Sequence, residues 1–500
     1  MAYDAIIIGA GHNGLVAANY LAKAGKKVLV LERREIAGGQ LVTESFGDGF
    51  AVDALHASAQ LRPDIVKDLG LAIDVPGARP SYVSLLGDGT RLRIDADPLR
   101  ARDAICAVSA RDAGRWPEFL AFMDRAATFL DAAYRTPMPR LPHFAPIREG
   151  LPLAGLLWKL RRLGGRDMFR VVRAMSMSAE EFTGDWFESE ALRAAVSALA
   201  IHGVTLGPMS AGTGFTLMHN WLIRGGLAHR PITGGVGNIT RVLVDTLKLR
   251  GGEVRTSTEV RSITVDHGRA SGVHLASGED IAAPLILSAA DPRHTFLDLV
   301  GAAELPPEFV WQAQSIKLRG CVAKVHVETD GRHGLPEGTL AVAPSIRYLE
   351  RAYDAAKYGE ISPQPYLEVT SSGNMVSIHF QFAPYALRDS DWNSARAVVE
   401  QRAVDTLNVY CPDFKASVKR VHTITPRDLE STYGLSEGDL NHGQLILDQI
   451  FFMRPLPGWS NHRTPIDGLY LCGAGVHGGG GISGASGRNA AKTALKAGGR

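Results

Sequence analysis

The sequence predicts an α/β protein built on a doubly wound parallel sheet, and three segments of the chain carry this prediction. Residues 5–8 form an apolar strand that runs directly into a glycine-rich turn. Residues 234–255 have a glycine-rich turn followed by a helix and a short strand, and residues 468–496 have the order strand, glycine-rich loop, helix. Helices that alternate with strands in this way are typical of parallel sheets. We therefore expect one sheet that the chain enters first and completes last.

The first turn has the spacing Gly9-x-Gly11-x-x-Gly14, which is typical of Rossmann-type dinucleotide-binding folds. In this motif the first glycine allows a tight turn, the second lets the backbone approach a pyrophosphate, and the third lets the helix pack on the strand. The phosphates bind to free N–H groups at the start of the helix. Glu32 ends the next strand 18 residues after Gly14, where its carboxylate can accept hydrogen bonds from an adenosine ribose. The motif therefore predicts a dinucleotide with an intact 2′-hydroxyl.

A pair of glycines follows this strand, at Gly38-Gly39 before Gln40. The pair stands where an extended dinucleotide such as FAD needs a second close approach of the backbone. An NAD-binding domain has no obvious use for it, although an ordinary loop turn would also contain such glycines. Because the sequence shows no obvious pattern for attachment through cysteine or histidine, we expect noncovalent FAD as the cofactor.

These motifs, together with residues 231–237 and 468–491, resemble those of the flavin-binding amine oxidase and phytoene desaturase superfamily. The resemblance extends from one end of the chain to the other, and shorter segments between residues 425 and 491 narrow it to one subgroup. It implies that Val260 contacts the adenine and that a helix over residues 482–496 points its positive end at the flavin, where it stabilises the negative charge of the reduced ring. The cofactor-binding residues implied by the motifs and the resemblance are Gly9, Gly11, Asn13, Gly14, Glu32, Arg33, Gly38, Gly39, Gln40, Val260, Gly473, Ala474, Gly481, Ile482 and Ser483.

The pattern of the chain changes twice between these segments, which predicts two insertions into the sheet. The first has long amphipathic helices, at residues 102–135 and 151–179. The second has strands with alternating apolar residues, at residues 322–327, 366–370 and 375–382. We expect the insertions to form an α+β substrate domain. The expected division is an FAD-binding domain of residues 1–65, 226–295 and 441–500 and a substrate domain of residues 66–225 and 296–440.

Histidines are the candidates for proton transfer, because an imidazole titrates near neutral pH. A flavin accepts hydride at its own N5 atom, so the protein mainly positions the substrate and tunes the ring. The candidates are His56, His202, His219, His379 and His477. The motif positions of His56 and His477 place these two near the ring, and they are the predicted catalytic residues, with a structural role as the alternative. The sequence has no His-x-x-x-His pair, so we predict no metal site.

Composition and charge argue against several other classes of function. Lys and Arg number 54 against 52 Asp and Glu, which gives no support for a nucleic-acid partner. The four cysteines lie far apart without a C-x-x-C motif, so neither a redox dithiol nor a cysteine zinc site is expected. The chain starts a strand almost at once and has no uncharged apolar run of about 18 residues, which favours a cytoplasmic protein. The oligomeric state stays open.

One basic segment bears on partners. Residues 140–173 contain eight Arg or Lys residues against Glu149 and Asp167, interleaved with leucines and aromatic residues. Helices of this composition can lie on anionic membrane surfaces and admit lipophilic substrates, although a solvated cap on the insertion can have the same composition. A membrane surface is therefore a candidate partner, besides a small lipophilic substrate.

The function predicted from these observations is that of an FAD-dependent oxidoreductase. It would take hydride from a C–H bond of an apolar organic substrate onto flavin N5, as a dehydrogenase or desaturase does. Three alternatives stay open: a flavin amine oxidase, an FAD-dependent isomerase, and an FAD-stabilised binding protein without catalytic activity.

Overall fold

The structure is a computed structural model that describes residues 3–75, 77, 80–139 and 150–498. Arg140, Arg148 and Glu149 of the basic segment lie outside the described residues. Two larger sheets organise the chain, one of them parallel and the other largely antiparallel.

The parallel sheet has five strands that come from three distant parts of the chain. Its order is Leu469–Leu471, Ile286–Ser288, Ala5–Ile8, Val28–Leu31 and Glu253–Arg255, and every neighbouring pair is parallel. All residues of the three central strands are buried, as expected for a sheet covered on both faces. The last strand of the chain closes one edge, so the predicted α/β architecture is confirmed.

Different elements cover the two faces of this sheet. Alternate residues serve the two sides, so that Ile7 and Val30 face one layer while Ile6 and Leu29 face the other. The first layer consists of the helices His12–Lys23, Gly237–Leu249 and Ala485–Gly498. The second consists of a small antiparallel sheet and two helical segments, Val260–Asp266, Arg269–Leu275, Asp280–Ala282, Thr295–Gly301 and Pro307–Gln314.

The seven-stranded sheet combines both insertions. Its order is Val418–Ile424, Val322–Thr329, Met375–Gln381, Tyr366–Ser372, Thr339–Val342, Tyr82–Leu85 and Arg91–Ile94. One face packs its apolar side chains against the helix Trp392–Tyr410. The opposite face carries polar side chains that are nevertheless buried, among them Lys324, Glu368 and His379. This polar face forms one wall of the site described below.

Helices of the first insertion form a layer with an aromatic core, in which the ring of Phe119 lies 4.9 Å from that of Phe187. These helices are Pro98–Cys106, Ala110–Arg135, Leu151–Arg162, Gly165–Ser176, Ala179–Trp186, Glu190–Ile201 and Thr213–Arg224. The other elements are the helices Pro63–Leu69, Pro292–His294, Ile346–Lys357, Phe414–Ser417 and Pro426–Ser431, the strands Thr43–Ser45 and Ala51–Asp53, and the short turns of 3-10 helix Ala302–Glu304, Ser436–Gly438, Leu447–Gln449 and Phe451–Met453. Of the helices described, none combines the length and the apolar character needed to span a bilayer.

Three helix boundaries differ from those predicted. The helix expected over residues 102–135 is two helices, because the Ser109 hydroxyl accepts a hydrogen bond from the Asp112 N–H (3.1 Å) and starts a new helix there. The helical region expected over residues 151–179 is broken at Gly164, whose φ is +84°.

The terminal helix begins at Ala485 rather than at residue 482. Gly484 has a φ of +75°, a left-handed conformation that cannot be part of a right-handed helix. Gly481, Ile482 and Ser483 therefore lie in the loop before the helix and not in its first turn.

Candidate cofactor cleft and substrate cavities

A cleft at the carboxyl ends of the parallel strands encloses about 1010 Å³ of empty space. Ligands of open α/β sheets bind at this edge. The cleft brings together ten of the predicted cofactor-binding residues, namely Gly9, Gly11, Asn13, Gly14, Glu32, Arg33, Gly39, Gln40, Val260 and Ala474. We call it the cofactor cleft.

The two glycine turns meet in this cleft. The N–H of Gly38 donates a hydrogen bond to the carbonyl of Ala10 (3.0 Å), and a Cβ placed on Gly39 would lie only 3.0 Å from the Cα of Gly11. A Cβ on Gly11 would find open space, with the Cα of Gly39 at 4.0 Å as its one neighbour. Gly11 therefore borders empty volume that a side chain would occupy, as the approach of a pyrophosphate to the backbone requires.

The helix His12–Lys23 starts at the cleft with unsatisfied groups. No side chain caps its first turn, and free N–H groups at such an end bind phosphate. Nε2 of His12 and Oδ1 of Asn13 are buried without a hydrogen-bond partner. Because unpaired buried polar atoms are costly, these atoms call for a ligand, and the residues present fit a dinucleotide.

Glu32 is positioned by backbone groups. Its carboxylate accepts hydrogen bonds from the N–H of Ala10 (2.9 Å) and of Arg34 (3.0 Å). Each carboxylate oxygen has a second lone pair, so the side chain can still accept hydrogen bonds from ribose hydroxyls. The predicted role of Glu32 is compatible with these contacts.

Arg33 closes the rim of the cleft. Its guanidinium donates hydrogen bonds to the carbonyls of Glu430 (3.2 Å) and Ser431 (2.9 Å), nearly four hundred residues further along the chain. The guanidinium of the neighbouring Arg34 lies 4.5 Å from the ring centre of Tyr433, which also lines the cleft. This pair of contacts joins the end of the second strand to the segment over residues 430–433.

The glycine loop near the end of the chain serves two sites. A Cβ on Gly473 would lie 2.6 Å from a carbonyl oxygen, so glycine permits the close packing that presents Ala474 to the cofactor cleft. Gly481 and Ile482 instead line a cavity behind the cleft, and the N–H of Gly481 donates to Oδ1 of Asn441 (3.3 Å). Ser483 accepts a hydrogen bond at its carbonyl from the N–H of Arg62 (3.1 Å).

Two adjoining cavities lie behind the cofactor cleft, with about 360 and 570 Å³ of empty space, and we call them together the inner cavity. His56, His202 and His229 line both parts. Nε2 of His56 donates a hydrogen bond to Oε1 of Gln40 (2.8 Å), whose amide donates to the carbonyl of Leu440 (2.8 Å). Because Gln40 also lines the cofactor cleft, the His56–Gln40 contact joins the two spaces.

A buried ion pair organises the inner cavity. Arg224 donates to both carboxylate oxygens of Glu368 (2.7 and 2.9 Å). Nε2 of His229 also donates to Glu368 (2.5 Å), and Nδ1 of His202 lies 3.3 Å from the same carboxylate. Burial alone would raise the pKa of Glu368, but Arg224 and the two histidines hold it well below its ordinary value. Glu368 and Arg224 therefore stay ionised and compensate each other.

Lys324 lies on the same sheet face. Its ammonium donates a hydrogen bond to Nδ1 of His379 (3.0 Å), whose Nε2 donates to Oε1 of Gln381 (2.7 Å). The His379 ring stacks on His202 with 3.8 Å between ring centres. Burial lowers the pKa of Lys324 to about 7, and burial also lowers the pKa of both histidines well below the usual range. Near neutral pH the network thus contains neutral imidazoles and one titrating amine.

The structure separates the two histidines that the sequence predicts as catalytic. His56 borders the inner cavity, and burial, followed by the charge of Lys324, lowers its pKa well below 6.5. His477 is not among the residues that line the cofactor cleft or the inner cavity. Its Nε2 contacts the carbonyls of Ala133 and Thr136 (both 3.1 Å), and burial lowers its pKa to about 4. These contacts are those of a structural histidine, which fixes the end of a long helix.

Three side chains could in principle hold a metal ion, although the sequence predicts none. Ligand atoms of His202, His229 and Glu368 lie within 4.8 Å of one another, the one such group among the described residues. Both oxygens of Glu368 already accept hydrogen bonds from Arg224, and a guanidinium repels a divalent cation. We therefore assign the three side chains to the polar network.

Sequence reasoning missed the roles of Arg224, His229, Lys324 and Glu368. A signal exists, because polar residues alternate with apolar ones along three strands of the seven-stranded sheet, at Lys324 and His326, at Glu368 and Thr370, and at Ser377, His379 and Gln381. Such alternation normally indicates a face that meets solvent. Here another part of the chain covers that face, so burial could not be inferred from the alternation.

An aromatic pocket of about 860 Å³, which we call the outer pocket, adjoins the inner cavity. It shares Arg224 and His229 with the inner cavity. Its other lining residues include Tyr82, Trp116, Leu120, Trp221 and Leu227. The polarity of the walls therefore changes along the series, from an apolar outer pocket to a polar inner cavity beside the cofactor cleft.

Comparison with known proteins agrees with this geometry. The model of the family described as flavin containing amine oxidoreductase matches residues 14–412. Pyridine nucleotide-disulfide oxidoreductase domain-containing protein 2 of Rattus norvegicus is 32% identical over 98% of this chain and 92% of its own length. A limonene dehydrogenase subunit of Castellaniella defragrans is 28% identical over 98% of this chain and 94% of its own length.

The fold is also found among solved structures. An oxidoreductase from Methanosarcina mazei superposes with a TM-score of 0.63 at 16% identity, over 98% of this chain and 99% of that one. At this identity the match shows the fold alone. Together with the relatives, the cleft and its glycine turns identify the cofactor as FAD. The chain belongs to the flavin containing amine oxidoreductase family, and the protein is an FAD-dependent oxidoreductase.

Proposed function

We propose that the protein is a dehydrogenase that removes hydride from a C–H bond of an organic molecule held in the inner cavity. When bound, FAD supplies the hydride acceptor, the flavin N5 atom. The observation that carries the proposal is the contact of His56 with Gln40 (2.8 Å), which connects the inner cavity to the cofactor cleft.

The residues of the inner cavity support binding and orientation of the substrate. Neutral imidazoles such as His56, His202 and His379 can donate or accept hydrogen bonds without carrying charge. With Nε2 of His56 donating to Gln40, its Nδ1 is the acceptor that can take up a substrate proton. The ion pair of Arg224 and Glu368 fixes the wall on which these side chains stand.

Dehydrogenation of a carbon skeleton is favoured over oxidation of an amine. A cationic amine needs a carboxylate, yet Glu368 is compensated by Arg224, and Asp53 is bonded to the Thr43 hydroxyl (2.6 Å) and the Val236 N–H (3.1 Å). The relative named for dehydrogenation of limonene, a hydrocarbon, supports the same choice. The isomerase and the non-catalytic binding protein are the outcomes of the test below.

A lipophilic substrate is supported by the outer pocket, where aromatic and aliphatic side chains can bind an apolar molecule. The test is reduction of the bound flavin under anaerobic conditions by terpenes, polyenes, lipids and amines. We expect bleaching of the oxidised flavin band by a molecule that leaves with one more double bond. Reduction by amines alone would contradict the proposal, turnover without net reduction would indicate an isomerase, and no reaction with any class would favour a binding protein.

A cytoplasmic protein that binds peripherally to an anionic membrane is the second part of the proposal. The helix Leu151–Arg162 has no buried residue, and Leu157, Trp158 and Phe169 are 64%, 60% and 66% exposed. Basic residues accompany them, including Arg161, Arg162 and Arg166. Exposed apolar side chains beside positive charges are typical of helices that lie on anionic lipid surfaces.

Liposome sedimentation tests this surface. Each positive charge near an anionic leaflet contributes roughly 1 kcal/mol, so changing Arg161, Arg162 and Arg166 together to Glu is expected to abolish sedimentation with phosphatidylserine vesicles. The matched control changes three exposed arginines elsewhere to Glu, namely Arg100, Arg241 and Arg332. Equal sedimentation of both triple variants, or none by the unmodified protein at physiological salt, would contradict membrane binding.

A further inference from the structure

Lys324 is a buried cation without a counter-ion. The residue is 7% exposed, and among the described residues no carboxylate lies within 4.0 Å of its Nζ atom. Its one hydrogen bond within the described chain is with His379 (3.0 Å). Buried charges are normally paired with an opposite charge or bound to a ligand. Two of the three N–H donors of the ammonium are thus left for something other than the protein.

The carboxylates nearby already have other partners. Glu368 gives both oxygens to Arg224 and receives a further hydrogen bond from His229. Asp53, which lines the same cavity, accepts hydrogen bonds from the Thr43 hydroxyl and a backbone N–H. The side chains on the other elements around Lys324 are neutral imidazoles, because burial lowers the pKa of each, namely His56, His202, His229, His326 and His379.

The surrounding space suits a molecule with one charged end. Lys324 lines the smaller part of the inner cavity, with about 360 Å³ of empty space. From there the lining passes through the larger part to the aromatic outer pocket, which shares Arg224 and His229 with it. A ligand along this path meets an ammonium at one end and aromatic rings at the other.

We propose that Lys324 binds the carboxylate of an amphipathic organic acid whose apolar part extends toward the outer pocket. A single ammonium matches a single negative charge, which favours a carboxylate over a phosphate dianion. The assignment rests on the proposed function, because it makes the molecule that is dehydrogenated an organic acid.

The experiment compares three ligands of equal chain length, octanoate, octanamide and octylamine, added to the FAD-loaded protein. Binding is followed by the change in the flavin absorption spectrum. We expect octanoate to bind at least tenfold more tightly than octanamide, and octylamine to bind no better than the amide. Lys324→Met should remove the preference for the acid and leave octanamide unchanged, while Lys324→Arg should keep part of it. Melting temperature and FAD content check that each variant is folded.

A second measurement follows the proton. Because the pKa of Lys324 in the free protein is about 7, the amine is mostly neutral at pH 8, and a bound carboxylate would favour its charged form. Binding of octanoate at pH 8 should therefore take up a proton, which calorimetry detects as a dependence of the heat on the buffer. Lys324→Met should bind without this uptake.

Three results would overturn the assignment: equal affinity for octanoate and octanamide, an unchanged acid preference in Lys324→Met, or no octanoate binding up to its solubility limit. These outcomes differ from failure of the proposed function. If octanoate binds through Lys324 while no compound reduces the flavin, the dehydrogenase proposal fails and the binding site stands. If hydrocarbons reduce the flavin and the acid does not bind, the assignment fails alone.

Discussion

The cofactor cleft and the inner cavity are neighbours, yet they are built by different means. Backbone groups and glycines form the cleft, where what counts is the absence of a side chain, as at Gly11 and Gly39. Charged and aromatic-ring side chains form the inner cavity, where what counts is their presence, as at Glu368 and Lys324. Changes in the cleft should therefore act on cofactor binding, and changes in the inner cavity on stability and substrate.

The largest effect is expected for Gly11→Val, which should abolish FAD binding while the protein still folds. The Cβ would enter open space next to the glycine turn, so it displaces the cofactor and not the protein. Absorbance of the flavin per chain and far-UV circular dichroism measure the two outcomes. Gly14→Val is the contrasting variant, because its Cβ would lie 2.2 Å from the carbonyl oxygen of Gly9 and should disrupt the fold itself. A yellow Gly11→Val protein would show that the dinucleotide lies elsewhere.

The next effect is expected for Glu368→Leu, which leaves Arg224 buried and unpaired. Removing one partner of a buried ion pair costs about 3–5 kcal/mol of unfolding free energy. The double variant Arg224→Met with Glu368→Leu removes both charges and should recover most of that loss. Urea denaturation of the FAD-loaded proteins measures the difference. Equal stability of the single and double variants would contradict the compensated pair.

Glu32→Gln should weaken FAD binding without changing the fold. One oxygen becomes an NH₂ group, so the side chain loses its charge and can no longer accept from both backbone N–H groups. Charge-assisted hydrogen bonds of this kind contribute about 1.5–3 kcal/mol each, which corresponds to at least a tenfold higher Kd for FAD. Titration of the apoprotein with FAD gives the value. An unchanged Kd would exclude the ribose contact.

The smallest effects separate the two predicted catalytic histidines. His56→Asn should slow flavin reduction at least tenfold, because it removes the side chain that borders both spaces, whereas His477→Asn should lower the melting temperature and leave the rate within about twofold. Rapid-mixing measurements under anaerobic conditions with a reducing substrate give both rates. The reverse pattern would restore His477 as the catalytic residue.

The same contrast explains how much could be predicted from the sequence. The glycine spacing and Glu32 are local signals, since one turn and the two strands beside it determine the geometry, and the parallel sheet follows from them. The inner cavity depends on pairing between distant strands, where His379 stands opposite both Lys324 and Glu368. Such register is not visible in the local pattern, and the burial of these polar residues depends on the loop that packs over them.

Local conformation also explains the error at the last helix. The segment before Ala485 is rich in glycine, and the sequence alone does not show that Gly484 adopts a left-handed conformation. The helix therefore starts later than predicted, and the N–H of Gly481 is paired with Asn441 instead of standing free in a first turn.

The bridge from Arg33 to the carbonyls of Glu430 and Ser431 has a consequence for the order of assembly. One wall of the cofactor cleft is synthesised within the first forty residues, but the segment that closes its rim and the strand Leu469–Leu471 emerge from the ribosome last. The complete cleft exists only after almost the whole chain has been made. Loading with FAD is therefore an event of the finished polypeptide, and chains truncated before residue 430 should leave the ribosome without retained flavin.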